Sequence, residues 1–304
     1  MGSYDDCLSL QPIPARHARN DDLRERALRA ADALPVVHGV LQRSLALFSR
    51  RDELSIAELA GHIEQDVVIA GTILGLANSA IYRGHSAVSS LRQAIVRLGI
   101  NKARNVLLGL SVARSLGRIK VPGGWSLIRF NAHSLAAAIF CDLIVRNVPC
   151  ADPEWAFMAG LLHDLGLLAV ACGLPDEFAA IMAYGRSGDA RLIDQERKLL
   201  GFTHFEVGAE MMSRWNCPVE VRQATLSSQN AELDFSRPLP LAAAVKSATL
   251  LADAQSMSVF DLSQDGDQRQ DATEELFRAL GIATPVHFFE EFHGDILELQ
   301  AAVA

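Results

Sequence analysis

Apolar residues recur at helical spacing over almost the whole chain from Asp22 onward. Strict alternation of apolar and polar residues, the pattern of a half-buried strand, is hard to find. Half of the 304 residues are apolar and only 6% are aromatic, a composition that supports large helical cores and argues against disorder. The sequence therefore predicts an all-α fold with two successive helical bundles.

Capping signatures predict where several helices begin. In a capping box, the hydroxyl of the N-cap residue accepts a hydrogen bond from the backbone N–H of the residue three positions later. The side chain of that later residue, a glutamate or glutamine, accepts the backbone N–H of the N-cap residue in return. Three pairs fit this pattern: Ser55 with Glu58, Ser90 with Gln93, and Thr203 with Glu206. Pro218 and Pro240 indicate two further helix starts.

The sequence Val-Pro-Gly-Gly-Trp at 121–125 interrupts the helical pattern and predicts a boundary or hinge. We expect a loose polar arm, a helical subdomain on each side of this boundary, and a polar linker that leads into a C-terminal helix. The predicted ranges are 1–21 for the arm, 22–120 and 121–256 for the subdomains, and 257–304 for the last segment.

Charge, cysteines and hydropathy exclude several classes of protein. The net charge of −8 makes nucleic acid an unexpected partner. The five cysteines include no closely spaced pair, so a reducing cytoplasm fits better than a disulfide framework. The longest apolar run, 165–174, is about half of the roughly 20 residues that a membrane span needs. Because no signal peptide is evident either, we predict a cytoplasmic protein without a membrane partner.

Two histidines and two acids stand at positions that predict a shared site. His133 lies in one apolar helix, His163 and Asp164 lie in a second, and Asp253 lies near the end of a third. Borderline divalent metals accept such mixed nitrogen and oxygen ligands, and a bound metal could activate water against a phosphoryl group. The alternative is a set of hydrogen-bonded core residues, since buried polar groups need partners.

The order His, then His-Asp about 30 residues later, then Asp on a later helix resembles the HD-domain pattern of metal-dependent phosphohydrolases. Longer blocks resemble the HDOD family, the HD-related output domain of bacterial signalling proteins. These blocks are residues 34–48, 58–74, 76–116, 156–168 and 200–221. Together they place the resemblance over roughly 25–255.

The resemblance implies an N-terminal helical bundle followed by an HD-like bundle. It also implies a non-catalytic signalling output or adaptor module that acts by protein–protein interaction. Nothing in the residues selects its partner, its upstream signal or its oligomeric state. Two alternatives stay open: a metal-dependent HD-type phosphohydrolase of a nucleotide or cyclic dinucleotide, and a nucleotide sensor without hydrolysis.

Compared with catalytic relatives, the predicted site is degenerate. His204 resembles a further ligand of the two-metal cyclic-dinucleotide phosphodiesterases, but 224–230 contains no histidine where those relatives carry a pair. The resemblance therefore implies a broken two-metal centre and no required cofactor. A remnant site for a single divalent metal, formed by His133, His163, Asp164 and Asp253, remains a hypothesis.

A basic stretch without acidic residues is a second candidate site. It contains seven cationic residues, which are Arg92, Arg97, Lys102, Arg104, Arg114, Arg118 and Lys120. Such local asymmetry in an acidic chain predicts a docking face for an acidic helix, a phosphorylated receiver or a nucleotide. The alternative is a solvated helix face whose arginine stems cover the edge of the core.

Overall fold

The fold is described from a computed structural model of the chain. It describes residues 13–34, 42–43, 45–47, 54–84, 86–117, 119–123, 125–184, 189–229, 233, 235–259 and 266–303.

Within these residues the chain forms fifteen bounded α-helices and no strand beyond one isolated bridge. The prediction of an all-α fold is confirmed. The helices are α1 (Ile13–Asp32), α2 (Ile56–Ile63), α3 (Val67–Asn78), α4 (Leu91–Leu98), α5 (Ile100–Leu116), α6 (Leu127–Asn147), α7 (Ala156–Leu162), α8 (Leu165–Gly173), α9 (Pro175–Tyr184), α10 (Asp189–Leu199), α11 (His204–Arg214), α12 (Val219–Ser228), α13 (Leu241–Ala254), α14 (Gly266–Leu280) and α15 (Pro285–Ala301).

Local sequence signals account for several helix starts. Complete capping boxes begin α2 at Ser55 and α11 at Thr203. The Ser90 hydroxyl accepts the Gln93 N–H at the start of α4, although the Gln93 side chain accepts the N–H of the preceding serine instead. Gly99 has φ +86°, a conformation that favours glycine, and turns the chain directly from α4 into α5.

Helix α6 is the centre of the second bundle. It packs against α7, α13 and α15, and most of its length is buried. Helices α2 to α5 pack together as the N-terminal bundle, and α5 also contacts α6 and α7. The side chains of the predicted HD-like site therefore project from the most buried part of the fold.

The structure differs from the prediction of an arm over 1–21. Residues 13–21 of the predicted arm belong to α1, and residues 1–12 lie outside the described residues. The apolar stripe Leu23, Ala27 and Ala31 buries α1 against α8 and α11, so this helix packs on the second bundle. A stripe at helical spacing shows that a helix is buried, but not which bundle covers it.

The C-terminal helix α15 is likewise part of the core, packed against α6 and α3. Its fully buried Asp295 forms an ion pair with Lys102 of α5. The Tyr82 hydroxyl lies 2.9 Å from Glu291 and 3.0 Å from Asp295, and Arg146 of α6 lies 2.6 Å from Glu291. These charged groups hold α15 between the two bundles.

Two helical stretches, Leu127–Asn147 and Pro153–Gly173, are long and apolar enough to span a membrane. Their most apolar windows are 67% and 89% buried within the protein. Such burial is typical of the core helices of a soluble protein, and the two stretches give no clear membrane signal.

A Gly166→Ala substitution is expected to disrupt the contact between α8 and α11. The added Cβ would lie 1.9 Å from the His204 carbonyl oxygen and 2.8 Å from the Gly208 nitrogen, both backbone atoms that cannot rotate away. We expect a loss of at least about 3 kcal/mol in unfolding free energy, measured by urea denaturation. The control Gly71→Ala meets no atom within 4 Å, and should stabilise α3 by about 0.5–1 kcal/mol.

An Asp295→Ala substitution is expected to leave the Lys102 ammonium buried without its partner. Burial raises the pKa of Asp295 even though Lys102 acts to lower it, so the pair forms at a high desolvation cost. The single variant should lose about 3–5 kcal/mol of unfolding free energy. The double variant Lys102→Met with Asp295→Leu should recover most of that loss. A double variant as unstable as the single one would contradict this account.

Candidate metal centre

The structure brings the four predicted residues together from three places in the second bundle. His133 lies in the middle of α6, and Asp253 lies near the end of α13. His163 and Asp164 occupy the break between α7 and α8, where the predicted continuous helix is interrupted. His133 and His163 are each 2% exposed and Asp164 is 7% exposed.

Three of these side chains lie closest to one another: the imidazole rings of His133 and His163 and the carboxylate of Asp164. His133 Nε2 lies 3.4 Å from His163 Nε2 and 3.5 Å from Asp164 Oδ2, and His163 Nε2 lies 3.2 Å from Asp164 Oδ1. These donor atoms all lie within 4.8 Å of one another. Asp253 approaches the same group from the other side of His133, with Oδ1 3.8 Å from Nδ1.

The orientation of both rings is set by backbone carbonyls. His133 Nδ1 lies 2.7 Å from the Met257 oxygen, and His163 Nδ1 lies 2.8 Å from the Gly160 oxygen. Because a carbonyl only accepts hydrogen bonds, both Nδ1 atoms carry protons. In neutral rings the two Nε2 lone pairs would then face each other, which requires a cation or a proton between them. Metal-binding histidines have this second hydrogen bond, so the residues fit one divalent ion.

The local electrostatics show how protons can supply the same positive charge. Burial acts to raise the pKa of Asp164, but His163, His204 and His133 hold it well below its usual range. Burial acts to lower the pKa of His163, but the Asp164 carboxylate raises it. An ionised Asp164 beside a protonated histidine is therefore the form expected without a metal.

His204 is paired with Glu196, an acid that the sequence analysis did not identify, and this pairing makes it a poor metal ligand. Its Nδ1 lies 2.7 Å and 2.8 Å from the two carboxylate oxygens of fully buried Glu196, and its backbone N–H donates to the same carboxylate. Its Nε2 lies 3.5 Å from Asp164 Oδ1. Burial opposes the charge, but Glu196 and Asp164 raise the pKa of His204 to about 10. A protonated ring has no lone pair for a metal.

Ser228 of α12 lines the site. It lies within residues 224–230, the stretch where the two-metal phosphodiesterases named above carry a pair of histidines. The Ser228 hydroxyl donates to the Thr225 carbonyl at 2.8 Å, within its own helix. Thr249, which the sequence did not single out, lies 3.4 Å from His163 Nε2. These hydroxyls line the site, but they are weak ligands for a transition metal.

The cavity between these side chains is small. Its volume is about 40 Å³. Lys246 and Phe205 line it together with His133, His163 and Asp164. About 10–15 Å³ of such space is enough to hold one water molecule, so the cavity suits a cation or a few water molecules. Pockets for small organic ligands usually measure about 300–1,000 Å³.

The structure does not form one exposed face from the seven predicted docking residues. Arg104 is only 4% exposed, Lys102 pairs with buried Asp295, and Arg114 pairs with Asp66. Arg104 and Lys102 are therefore largely covered by the fold, whereas the Arg114–Asp66 pair is partly exposed. A docking face therefore stays a prediction for the exposed cations of the set.

The remaining four positions divide further. Arg97 donates to two backbone carbonyls of its own bundle. Arg92 and Lys120 are exposed, and Arg118 lies outside the described residues. Sequence spacing could not show which cations are exposed and which are covered. That depends on which side of each helix packs against its neighbours.

The charge on His204 predicts a specific loss of stability at high pH. Its folded pKa of about 10 exceeds the ordinary histidine pKa of 6.5. The protonated His204 ring therefore contributes fully to the unfolding free energy below pH 6.5. This contribution declines as the pH rises above 6.5 and is gone above about pH 10. Chelator-treated protein should lose unfolding free energy between pH 7 and 10 more steeply than the His204→Gln variant. The control His62→Gln changes an exposed histidine and should keep the steep decline, and equal slopes in all three proteins would contradict this assignment.

Comparison with known proteins agrees with the fold. A crystal structure of a proposed phosphohydrolase from Shewanella amazonensis SB2B superposes with a TM-score of 0.67 at 24% identity, covering 92% of this chain and 98% of that one. An HDOD domain protein of unknown function from Geobacter sulfurreducens gives 0.64 at 23% identity, covering 92% and 90%. A proposed signal transduction protein from Marinobacter aquaeolei VT8 gives 0.62 at 21%, covering 95% and 66%. At these identities the likenesses show the fold alone.

Sequence comparison identifies the family. An uncharacterized protein of Treponema pallidum (strain Nichols) is 23% identical over 176 residues, which cover 56% of this chain and only 32% of that protein. The family model of the HDOD domain matches residues 34–231, well over half of the chain. The chain therefore belongs to the HDOD family.

Proposed function

We propose that this chain is a signalling output module that acts by binding other proteins, without catalytic turnover. In this proposal the module works in the cytoplasm, with signalling proteins as partners in place of membranes or nucleic acids. Membership of the HDOD family supports a regulatory role. The argument against turnover comes from the centre itself.

The observation that carries the proposal is the enclosure of the His-Asp cluster. A phosphohydrolase must place a phosphodiester against its metal, yet the two histidines are 2% exposed and the cavity beside them measures about 40 Å³. That volume is several times smaller than a pocket for a small organic ligand. A nucleotide could therefore reach the cluster only if the helices around it moved apart.

A bound metal fits this proposal as a structural group. His133, His163 and Asp164 would hold it, with Asp253 beside them, and they come from α6, the α7–α8 turn and α13. A divalent ion in such a site supplies Lewis acidity to water or a phosphoryl oxygen. Without access for a substrate, its effect is to join three parts of the second bundle.

The second candidate is a metal-dependent phosphohydrolase of a nucleotide or cyclic dinucleotide. It is favoured by the two Nε2 atoms that face each other at 3.4 Å beside Asp164, and it agrees with the proposed activity of the Shewanella protein. The nucleotide-sensor alternative has less support, because the cations expected to bind phosphate are in part buried or paired.

The proposal is tested by assaying metal and turnover together. Protein purified without chelator should contain at most one divalent metal per chain by elemental analysis, and the His163→Ala variant should contain none. With added Mn²⁺, neither the wild type nor Asp164→Ala should hydrolyse bis(p-nitrophenyl) phosphate or a cyclic dinucleotide above the buffer rate. Metal-dependent hydrolysis by the wild type that Asp164→Ala abolishes would establish the second candidate instead.

A further inference from the structure

A groove on the N-terminal bundle has the properties of a docking site. It lies between α4 and the loop that precedes it, has a volume of about 470 Å³ and is open to solvent. We call it the α4 groove. The residues used below are Ser86, Val88, Arg92, Val96 and Arg97, all of which line it.

The wall formed by the loop is held firmly in place. Arg97 donates from Nη2 to the Ser86 oxygen at 2.8 Å and from Nη1 to the Ala77 oxygen at 3.3 Å. Asn78 of α3 pairs with both backbone groups of Val88, accepting its N–H and donating to its oxygen, each at 2.9 Å. A groove with fixed walls binds a ligand at a lower entropic cost.

Arg92 and Val96 give the groove both a charge and an apolar surface. They are four residues apart on α4, and therefore neighbours on one face of the helix. Arg92 is exposed and forms no ion pair with any described residue, and Val96 is 67% exposed. The pair presents a cation and a branched apolar side chain within one helical turn.

No acidic residue lies near Arg92 in the sequence. Residues 67–141 contain nine lysines and arginines and no aspartate or glutamate, in a chain whose net charge is −8. The acid-free stretch includes all of α3, α4 and α5, so no residue of these helices can neutralise Arg92. Acids from outside the stretch, Asp295 and Asp66, pair with Lys102 and Arg114, and no described acid pairs with Arg92.

We propose that the α4 groove binds a short acidic segment of a partner protein. A carboxylate of that segment pairs with Arg92, and an apolar side chain next to it covers Val96. The inference rests on the proposed signalling function and names the chemistry of its partner. None of the described residues that line the groove is aromatic, and stacking on aromatic rings is what usually retains single-stranded nucleic acid.

The test uses the full chain and a fluorescein-labelled peptide of glutamates with one central leucine. A second peptide carries lysine in place of every glutamate. Fluorescence anisotropy should show saturable binding of the acidic peptide that weakens at high salt, because exposed charges are screened, and no binding of the basic peptide. Arg92→Glu and Val96→Asp should each weaken binding at least about tenfold, equal to about 1.4 kcal/mol.

The control is Arg29→Glu, which reverses an exposed arginine on α1 and should leave the affinity unchanged. Arg92→Gln, which keeps a long polar side chain, should give an intermediate loss, and all variants should unfold at the wild-type temperature. Absence of saturable binding to the wild type, or an equal loss in Arg29→Glu, overturns the inference. Hydrolysis abolished by Asp164→Ala overturns the proposed function, whereas only the peptide titration decides the occupant of the groove.

Discussion

Positive charge between His133 and His163 is the requirement on which the centre of the second bundle depends. Both rings use Nδ1 to bind backbone carbonyls, so their Nε2 atoms meet beside an ionised Asp164. A divalent ion or a proton satisfies this arrangement, and both would hold α6 and the α7–α8 turn together. His204, which is paired with Glu196 through Nδ1, lies with Nε2 3.5 Å from the same carboxylate. The polar centre therefore contributes to the architecture whether or not a metal binds.

A second charge network, in which Asp295 is fully buried, connects the two bundles. Asp295 and Glu291 of α15 meet Lys102 of α5 and Arg146 of α6, with Tyr82 between the two acids. Buried ion pairs contribute little net stability but are costly to break. The C-terminal helix therefore behaves as part of the domain. The α4 groove is open to solvent.

Much of the candidate site could be predicted from the sequence, because its residues belong to recognisable blocks and helices with strong capping signals. His133, His163, Asp164 and Asp253 do come together. Glu196 could not be predicted, since it stands among charged residues in a segment typical of an exposed helix, and only the packing of α10 against the site buries it. The same limit applied to Arg104, whose burial depends on which side of α5 the second bundle covers.

The sequence by itself determined the all-helical architecture, the starts of many helices and the order of the His and Asp residues, because periodicity, capping and motif spacing are local properties of the chain. Only the tertiary structure decided which bundle α1 and α15 join, which cations remain exposed, and how small the space beside the histidines is. These features depend on contacts between residues that are distant in sequence, and burial determines whether the same side chain binds a partner, holds a proton or stabilises the core.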